Sequence, residues 1–239
     1  MDPHGSTALV TGGARRVGRA IVLGLASSGC NVVIHHGSSP DEAEETAAEA
    51  RDLGVEATAI QADLASNAAA VFAAAADLAP IRILVNSAAV FPMDTLAAVS
   101  VEAWQQTMTV NALAPVVLTR DFAAQVGDEG GVVVNVTDWR TERPYREHFS
   151  YTISKGALDT FTRAAAVALA PAIRVNAVAL GAILPPPGRD ADYLRDLATG
   201  IPLQRTGGTE PVVDAVLALI RNEFITGEIL RVAGGAHLV

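Results

Sequence analysis

The chain has 239 residues, half of them hydrophobic and 18% charged, with a formal net charge of −9. That much apolar side chain supports a large buried core and argues against disorder. The acidic balance excludes the basic face of a nucleic-acid binder.

Residues 1–6 are polar and do not read as a signal peptide. No apolar run reaches the roughly 18 residues needed to span a bilayer. Strands are predicted at 7–10, 31–35, 57–61, 81–86, 131–137, 174–178 and 229–232. The first six are mostly continuous Val, Ile, Leu and Ala, the pattern of strands buried on both faces of a parallel sheet. Helices are predicted between them at 17–28, 41–53, 68–76, 101–125, 150–169 and 211–221. This alternation predicts a doubly wound, Rossmann-type α/β fold in one domain over residues 1–239. The connection at 180–208 stands apart: it is long, carries Pro185-Pro186-Pro187 and Gly188, and reads as a substrate lid. A single cysteine, Cys30, excludes an internal disulfide and fits a reducing, cytoplasmic setting. Its place at the end of an apolar helical stretch predicts a buried thiol.

After the first strand, Thr11-Gly12-Gly13-Ala14-Arg15-Arg16-Val17-Gly18 opens the first helix. Glycines there permit a tight turn, and the free N–H groups of a helix N-terminus suit a phosphate. Arg15 and Arg16 stand where the helix dipole disfavours cations, so their presence points to an anion. The second strand ends in His35-His36-Gly37-Ser38-Ser39, with no acid before Asp41 to hold a ribose 2′-hydroxyl. His35, Ser38, Ser39 and the nearby Arg15 would accept a 2′-phosphate instead, so NADP(H) is the expected cofactor. An ordinary polar turn is the competing reading. Asp63, followed by Leu64 after the third strand, reads as an adenine-edge ligand or as a helix cap.

In the fifth helix, Tyr151 and Lys155 lie one turn apart on one face. The ammonium is expected to favour the phenolate and bring Tyr151 below its free value of about 10. Asp138 stands thirteen residues before the tyrosine, at the end of the fifth strand. An ionised carboxylate only accepts hydrogen bonds and would repel a carbonyl developing negative charge. Asp138 therefore suits a substrate that offers N–H donors, or one whose ring nitrogen takes a proton. A cap at the strand end is the alternative. Phe91 reads as core packing, a loop anchor or a stacking surface for a ligand. Trp139, Arg140, Tyr145 and Arg146 read as a site entrance or a subunit contact, and His148 as a surface residue. No cluster of Cys, His or carboxylates has metal-site spacing.

Together these pieces resemble the short-chain dehydrogenase/reductases along essentially the whole chain. The matching motifs are the glycine turn, Asp63-Leu64, Asn86-Ser87-Ala88-Ala89, Asn111, Tyr151-x-x-x-Lys155, and Arg174-Val175-Asn176 before Gly181. Arg16 in place of a turn glycine and Asp138 in place of the usual serine resemble the pteridine reductases and related dihydromonapterin and dihydrofolate reductases. Phe91 falls where that subgroup carries the phenylalanine that stacks on the pterin. The resemblance implies NADPH-dependent reduction of a C=N bond in a pterin or dihydrofolate-type substrate, with Asp138 and Tyr151 handling the proton. It implies that Lys155 holds the nicotinamide ribose, and that Asn111 is a fourth catalytic residue binding backbone and water behind Lys155. It also implies that Arg16 reaches both cofactor phosphate and pterin. Gly12, Val17, Asn86, Ala88, Thr137, Gly181 and Ile183 are implied to contact the cofactor. A homotetramer is implied, built on the helices at 101–125 and 150–169. Leu180, Ser38 and Ala89 depart from the family's proline, arginine and small polar residue.

Two other readings compete. One is a carbonyl reductase acting on 3-oxoacyl thioesters, with an acyl carrier protein docking on Arg120, Arg140, Arg143 and Arg146. The other is a non-catalytic NADP-binding regulator, against which the intact Asn111, Tyr151 and Lys155 speak.

Overall fold

The computed structural model describes residues 1–75, 80–186, 188 and 191–239. Seven parallel strands form one sheet in the order β3-β2-β1-β4-β5-β6-β7. They are β1 (Thr7–Thr11), β2 (Asn31–His36), β3 (Ala57–Gln61), β4 (Ile81–Asn86), β5 (Gly131–Asp138), β6 (Ile173–Leu180) and β7 (Ile229–Val232). The chain winds outward from β1 to β3, then returns to place β4 on the other side of β1. Ligands of open α/β sheets bind in the crevice at such a reversal, beyond the carboxyl ends of the strands.

Because the strands are parallel, crossover helices cover both faces and both must be apolar. α1 (Arg16–Ser27), α2 (Pro40–Asp52) and α8 (Glu210–Arg221) pack on one face. α3 (Ala70–Ala74), α5 (Ala114–Val126) and α6 (Phe149–Leu169) pack on the other. Strand alternation divides the two cores: Val132 and Val134 join the first, Val133 the second, and none of the three is exposed. Phe122 of α5 is fully buried against β5, and a Cβ on Gly131 would sit 2.6 Å from its ring. Cys30 is buried as expected, and burial pushes its thiol up to about 12.

All seven predicted strands are present, and the helices differ in three places. The stretch at 101–125 is not one helix but α4 (Val101–Met108), a π-turn at Thr109–Leu113, and α5. Pro115 has no N–H to give the carbonyl of Asn111, so a regular ladder cannot run through this point. The helix predicted at 68–76 is regular only over Ala70–Ala74, and Ala76 lies outside the described residues. The segment at 180–208 is not loop throughout, since α7 (Ala191–Ala198) lies within it. Pro187, Arg189 and Asp190 lie outside the described residues. Among the described residues no helix is long and apolar enough to cross a membrane.

Candidate active site

A cavity of about 600 Å³ opens along the crevice where the strand order reverses, running from the glycine turn to Tyr151 and Lys155. The turn closes because its glycines carry no side chain. A Cβ on Gly18 would lie 2.1 Å from the carbonyl oxygen of Gly12. Gly12 itself has a left-handed φ of 64° and lies against Ala88, whose Cα would be 2.9 Å from an added Cβ. No side chain caps the start of α1 and no acid stands in its first turn, which leaves that N-terminus for an anion.

Arg15 and Arg16 both line this end of the cavity. Arg15 pairs with Glu42 at 3.4 Å. Arg16 adopts φ 57°, the left-handed backbone that glycine takes without strain, at a cost of about 1–2 kcal/mol. Its Nη2 donates to the carbonyl of Pro185 at 2.6 Å, tying the turn to the segment that was read as a lid.

The adenosine end corrects one expectation. His35 is buried, and its ring is spent on backbone: Nδ1 accepts from the N–H of Gly12 at 3.3 Å, and Nε2 faces the carbonyl of Ala62 at 3.0 Å. A carbonyl only accepts, so Nε2 carries the proton and the ring is neutral. Burial lowers its pKa further. His35 lines the cavity and braces the glycine turn, with both ring nitrogens held by backbone rather than free for a phosphate. Ser38 and Ser39 do line the cavity. Asp63 lines it with Leu64, but its carboxylate is already engaged, accepting from Ala65 N–H and Ser66 Oγ–H at 2.9 Å each. The carboxylate closes a turn at residues 64–66 and is not the helix cap of the alternative reading, since α3 starts at Ala70 with no side-chain cap. Val17, Ala88 and Thr137 are also in the wall, whereas Asn86, Gly181 and Ile183 are not. Asn86 is buried and donates to Asn135 Oδ1 at 2.8 Å, Ile183 belongs to the core, and Gly181 packs on Ala233.

At the other end Tyr151 and Lys155 line the cavity, and Asp138, which does not itself line it, is hydrogen-bonded to Tyr151. Tyr151 donates its hydroxyl proton to Asp138 Oδ2 at 3.1 Å, and Oδ1 accepts from the N–H of Arg140 at 2.8 Å. Lys155 Nζ donates to the carbonyl of Val136 at 2.7 Å and lies 5.8 Å from the centre of the Tyr151 ring. The expected lowering of the Tyr151 pKa is overturned. Burial raises it well above 10, and the Asp138 charge and hydrogen bond raise it further. Burial also raises Asp138 and brings Lys155 down to about 8. In this state the phenol is held protonated. Asn111, in the π-turn, donates from Nδ2 to Val90 O at 2.9 Å and Ser154 Oγ at 3.0 Å, and accepts from Val90 N–H at 2.8 Å.

Phe91 meets the Tyr151 ring edge-on at 4.6 Å and stacks on His148 at 3.7 Å with a 14° tilt. His148, read from sequence as a surface residue, is buried, and its Nδ1 lies 2.7 Å from the carbonyl of Pro92. Asp94 completes the join between this loop and α6. Its carboxylate accepts from Ser150 N–H at 3.2 Å and from Ser150 Oγ–H, and its carbonyl accepts from Phe149 N–H at 3.3 Å. His148 precedes α6 and supplies no side-chain cap, so a residue 56 positions away caps it instead. Local sequence pattern carries no signal for that, beyond the lack of Ser, Thr, Asp or Asn before Phe149.

Comparison with known proteins places this geometry. A family model described as short chain dehydrogenase matches residues 6–191. The chain is 35% identical over 240 residues to L-xylulose reductase of Bos taurus, covering 97% of this chain and 96% of that one. It is 34% identical over 248 residues to a granaticin polyketide synthase protein of Streptomyces violaceoruber described provisionally as ketoacyl reductase 2, covering 99% and 98%. Among solved structures, FolM alternative dihydrofolate reductase 1 from Brucella canis, complexed with NADP, superposes with a TM-score of 0.95. It is 38% identical, covering all of this chain and 96% of that one.

Proposed function

The chain belongs to the short chain dehydrogenase family of oxidoreductases, and from that premise we propose that it reduces a C=N bond in a pterin or dihydrofolate-type ring. Its cofactor is NADP(H). Residues 1–239 act as one reductase domain, with 180–208 as its substrate lid. The observation that carries this reading is the hydrogen bond from Tyr151 to Asp138. A ketone reductase needs a neutral donor beside the phenol, and this chain places a carboxylate there.

The residues fit the cofactor. The uncapped start of α1 and the side-chain-free turn at Gly12 and Gly18 leave room and N–H groups for a pyrophosphate. No carboxylate stands at Ser38 or Ser39 to repel a 2′-phosphate. NADPH supplies the hydride when bound. Lys155 then holds the nicotinamide ribose. Asp138 accepts N–H groups of the substrate ring through its carboxylate, and Tyr151, kept protonated, donates to the ring nitrogen next to the reduced carbon. The ammonium of Lys155 offsets the negative charge left on the Asp138–Tyr151 pair. Asn111 holds the backbone behind Lys155, Arg16 joins the turn to the lid over the substrate, and Phe91 supports the flat ring. Assembly as a homotetramer through α5 and α6 completes the reading, with an apolar groove of Leu113, Val116, Ala157 and Phe161 as the contact.

NADPH oxidation with dihydrobiopterin, dihydrofolate and an acetoacetyl thioester, run side by side, tests the proposal. Turnover of a dihydropterin supports it; turnover of the thioester alone would replace it with the ketoacyl reading.

A further inference from the structure

Resting on the pterin reading, the geometry points to Arg140 as an anion subsite that binds a carboxylate on the tail of a folate-type substrate. A chain of ring-to-ring contacts, passing through the buried His148, links the reaction centre to Arg140. Phe91 lies 4.6 Å from Tyr151, and His148 lies 3.7 Å from Phe91. Tyr145 follows at 5.7 Å from His148, and the Arg140 Cζ lies 4.8 Å from the Tyr145 ring. Trp139 holds the same guanidinium at 4.3 Å. Two aromatic rings thus fix the orientation of this cation, so little side-chain freedom remains to be lost when an anion binds.

Its charge acts on Asp138 and Tyr145 from a distance but is not spent in a close ion pair. Among the described residues the one side-chain hydrogen bond of Arg140 runs from Nη1 to the carbonyl of Arg143 at 3.5 Å, the outer limit for such a bond. Among the described residues no carboxylate lies within ion-pair distance of it, whereas Arg19, Arg51, Arg82 and Arg231 each have one. The neighbouring Glu142 turns to Arg231 instead. A fixed guanidinium with a free N–H edge matches the two oxygens of a carboxylate. The backbone N–H of Arg140 holds Asp138, so the guanidinium belongs to a residue only two positions from the carboxylate that would seat the ring.

The test compares dihydrofolate, which carries a glutamyl tail, with dihydrobiopterin, which carries no carboxylate, in wild type, Arg140→Gln and Arg140→Lys. Arg140→Gln is expected to raise the dihydrofolate KM about tenfold with kcat kept, with a smaller loss in Arg140→Lys. The dihydrobiopterin KM should change less than about twofold, within the range of a lost rim contact. Equal effects on both substrates, or none on either, overturn the subsite. A second measurement separates this idea from the pterin reading: titration of N-(4-aminobenzoyl)glutamate against 4-aminobenzamide, followed by tryptophan fluorescence beside Trp139. Tighter, salt-sensitive binding of the glutamate compound that is lost in Arg140→Gln supports the subsite even if no pterin is turned over. Equal binding of the two compounds counts against it. If an acyl-thioester carrying a phosphate is the compound whose KM depends on Arg140, and dihydrofolate is not, the carboxylate assignment is wrong.

Discussion

The hydroxyl of Tyr151 is hydrogen-bonded to the carboxylate of Asp138, while Lys155, one turn further along the same helix, gives its own hydrogen bond to the carbonyl of Val136. Burial holds the phenol protonated, and the carboxylate reinforces that state. A Tyr-Lys pair beside a serine favours proton release; beside Asp138 it keeps the proton until a basic nitrogen calls for it.

Removing the charge should release the phenol. In Asp138→Asn the Tyr151 hydroxyl loses a negative neighbour that raises its pKa. Tyrosinate absorbance across a pH titration should show one tyrosine ionising at lower pH than in wild type. An unchanged curve would mean that burial alone sets the Tyr151 value.

Lys155 gives a stability signature with a defined sign. Its folded pKa of about 8 lies below the usual 10.5, so between these values the unfolded chain binds more protons than the folded one. The lysine's contribution is at its worst below about pH 8 and improves as pH rises towards 10.5. Denaturant unfolding of wild type and Lys155→Met should show the difference moving in favour of wild type across that window. A flat difference would place the Lys155 pKa at its ordinary value.

Arg16 carries a backbone strain that its side chain must justify. Arg16→Gly relieves the left-handed φ and Arg16→Ala does not, while both remove the guanidinium from Pro185. The glycine variant should be more stable than the alanine variant by about 1 kcal/mol in thermal unfolding. Both should bind NADPH more weakly than wild type. Equal stabilities would argue against a left-handed residue at this position.

Asp94 caps α6 from a distant loop and holds Phe91 beside Tyr151. Asp94→Ala should lose about 1–2 kcal/mol of stability and raise the pterin KM more than the NADPH KM, with partial rescue by Asp94→Asn. A parallel rise in both KM values would show general loosening of the fold rather than a role at the substrate end.

The parallel sheet was legible because six of its strands are mostly continuous Val, Ile, Leu and Ala, and the glycine turn because only glycine fits at Gly12 and Gly18. Asp138, Tyr151 and Lys155 converge because one ends β5 and the others lie in the first turns of α6, a spacing visible in sequence. What sequence left hidden depends on distant contacts. The stack of His148 on Phe91 and the Asp94 cap join residues more than 50 positions apart, and no local pattern encodes them. The bracing of the turn by His35 is of the same kind, a side chain committed to backbone on two neighbouring elements. The π-turn had a readable cause, the proline at 115, which the surrounding apolar periodicity masked. The direction of the Tyr151 pKa reversed because spacing alone gives proximity to Lys155, not the burial of the phenol or its contact with Asp138.

The central claim is that the carboxylate of Asp138 selects a nitrogen heterocycle over a ketone, and Asp138→Ser tests it most directly. NADPH oxidation by wild type and variant would be followed with a dihydropterin and with a simple ketone. The account predicts that pterin turnover collapses, by at least about a hundredfold for a lost proton-handling group, while ketone reduction is kept or rises. Pterin turnover that survives the substitution would contradict it.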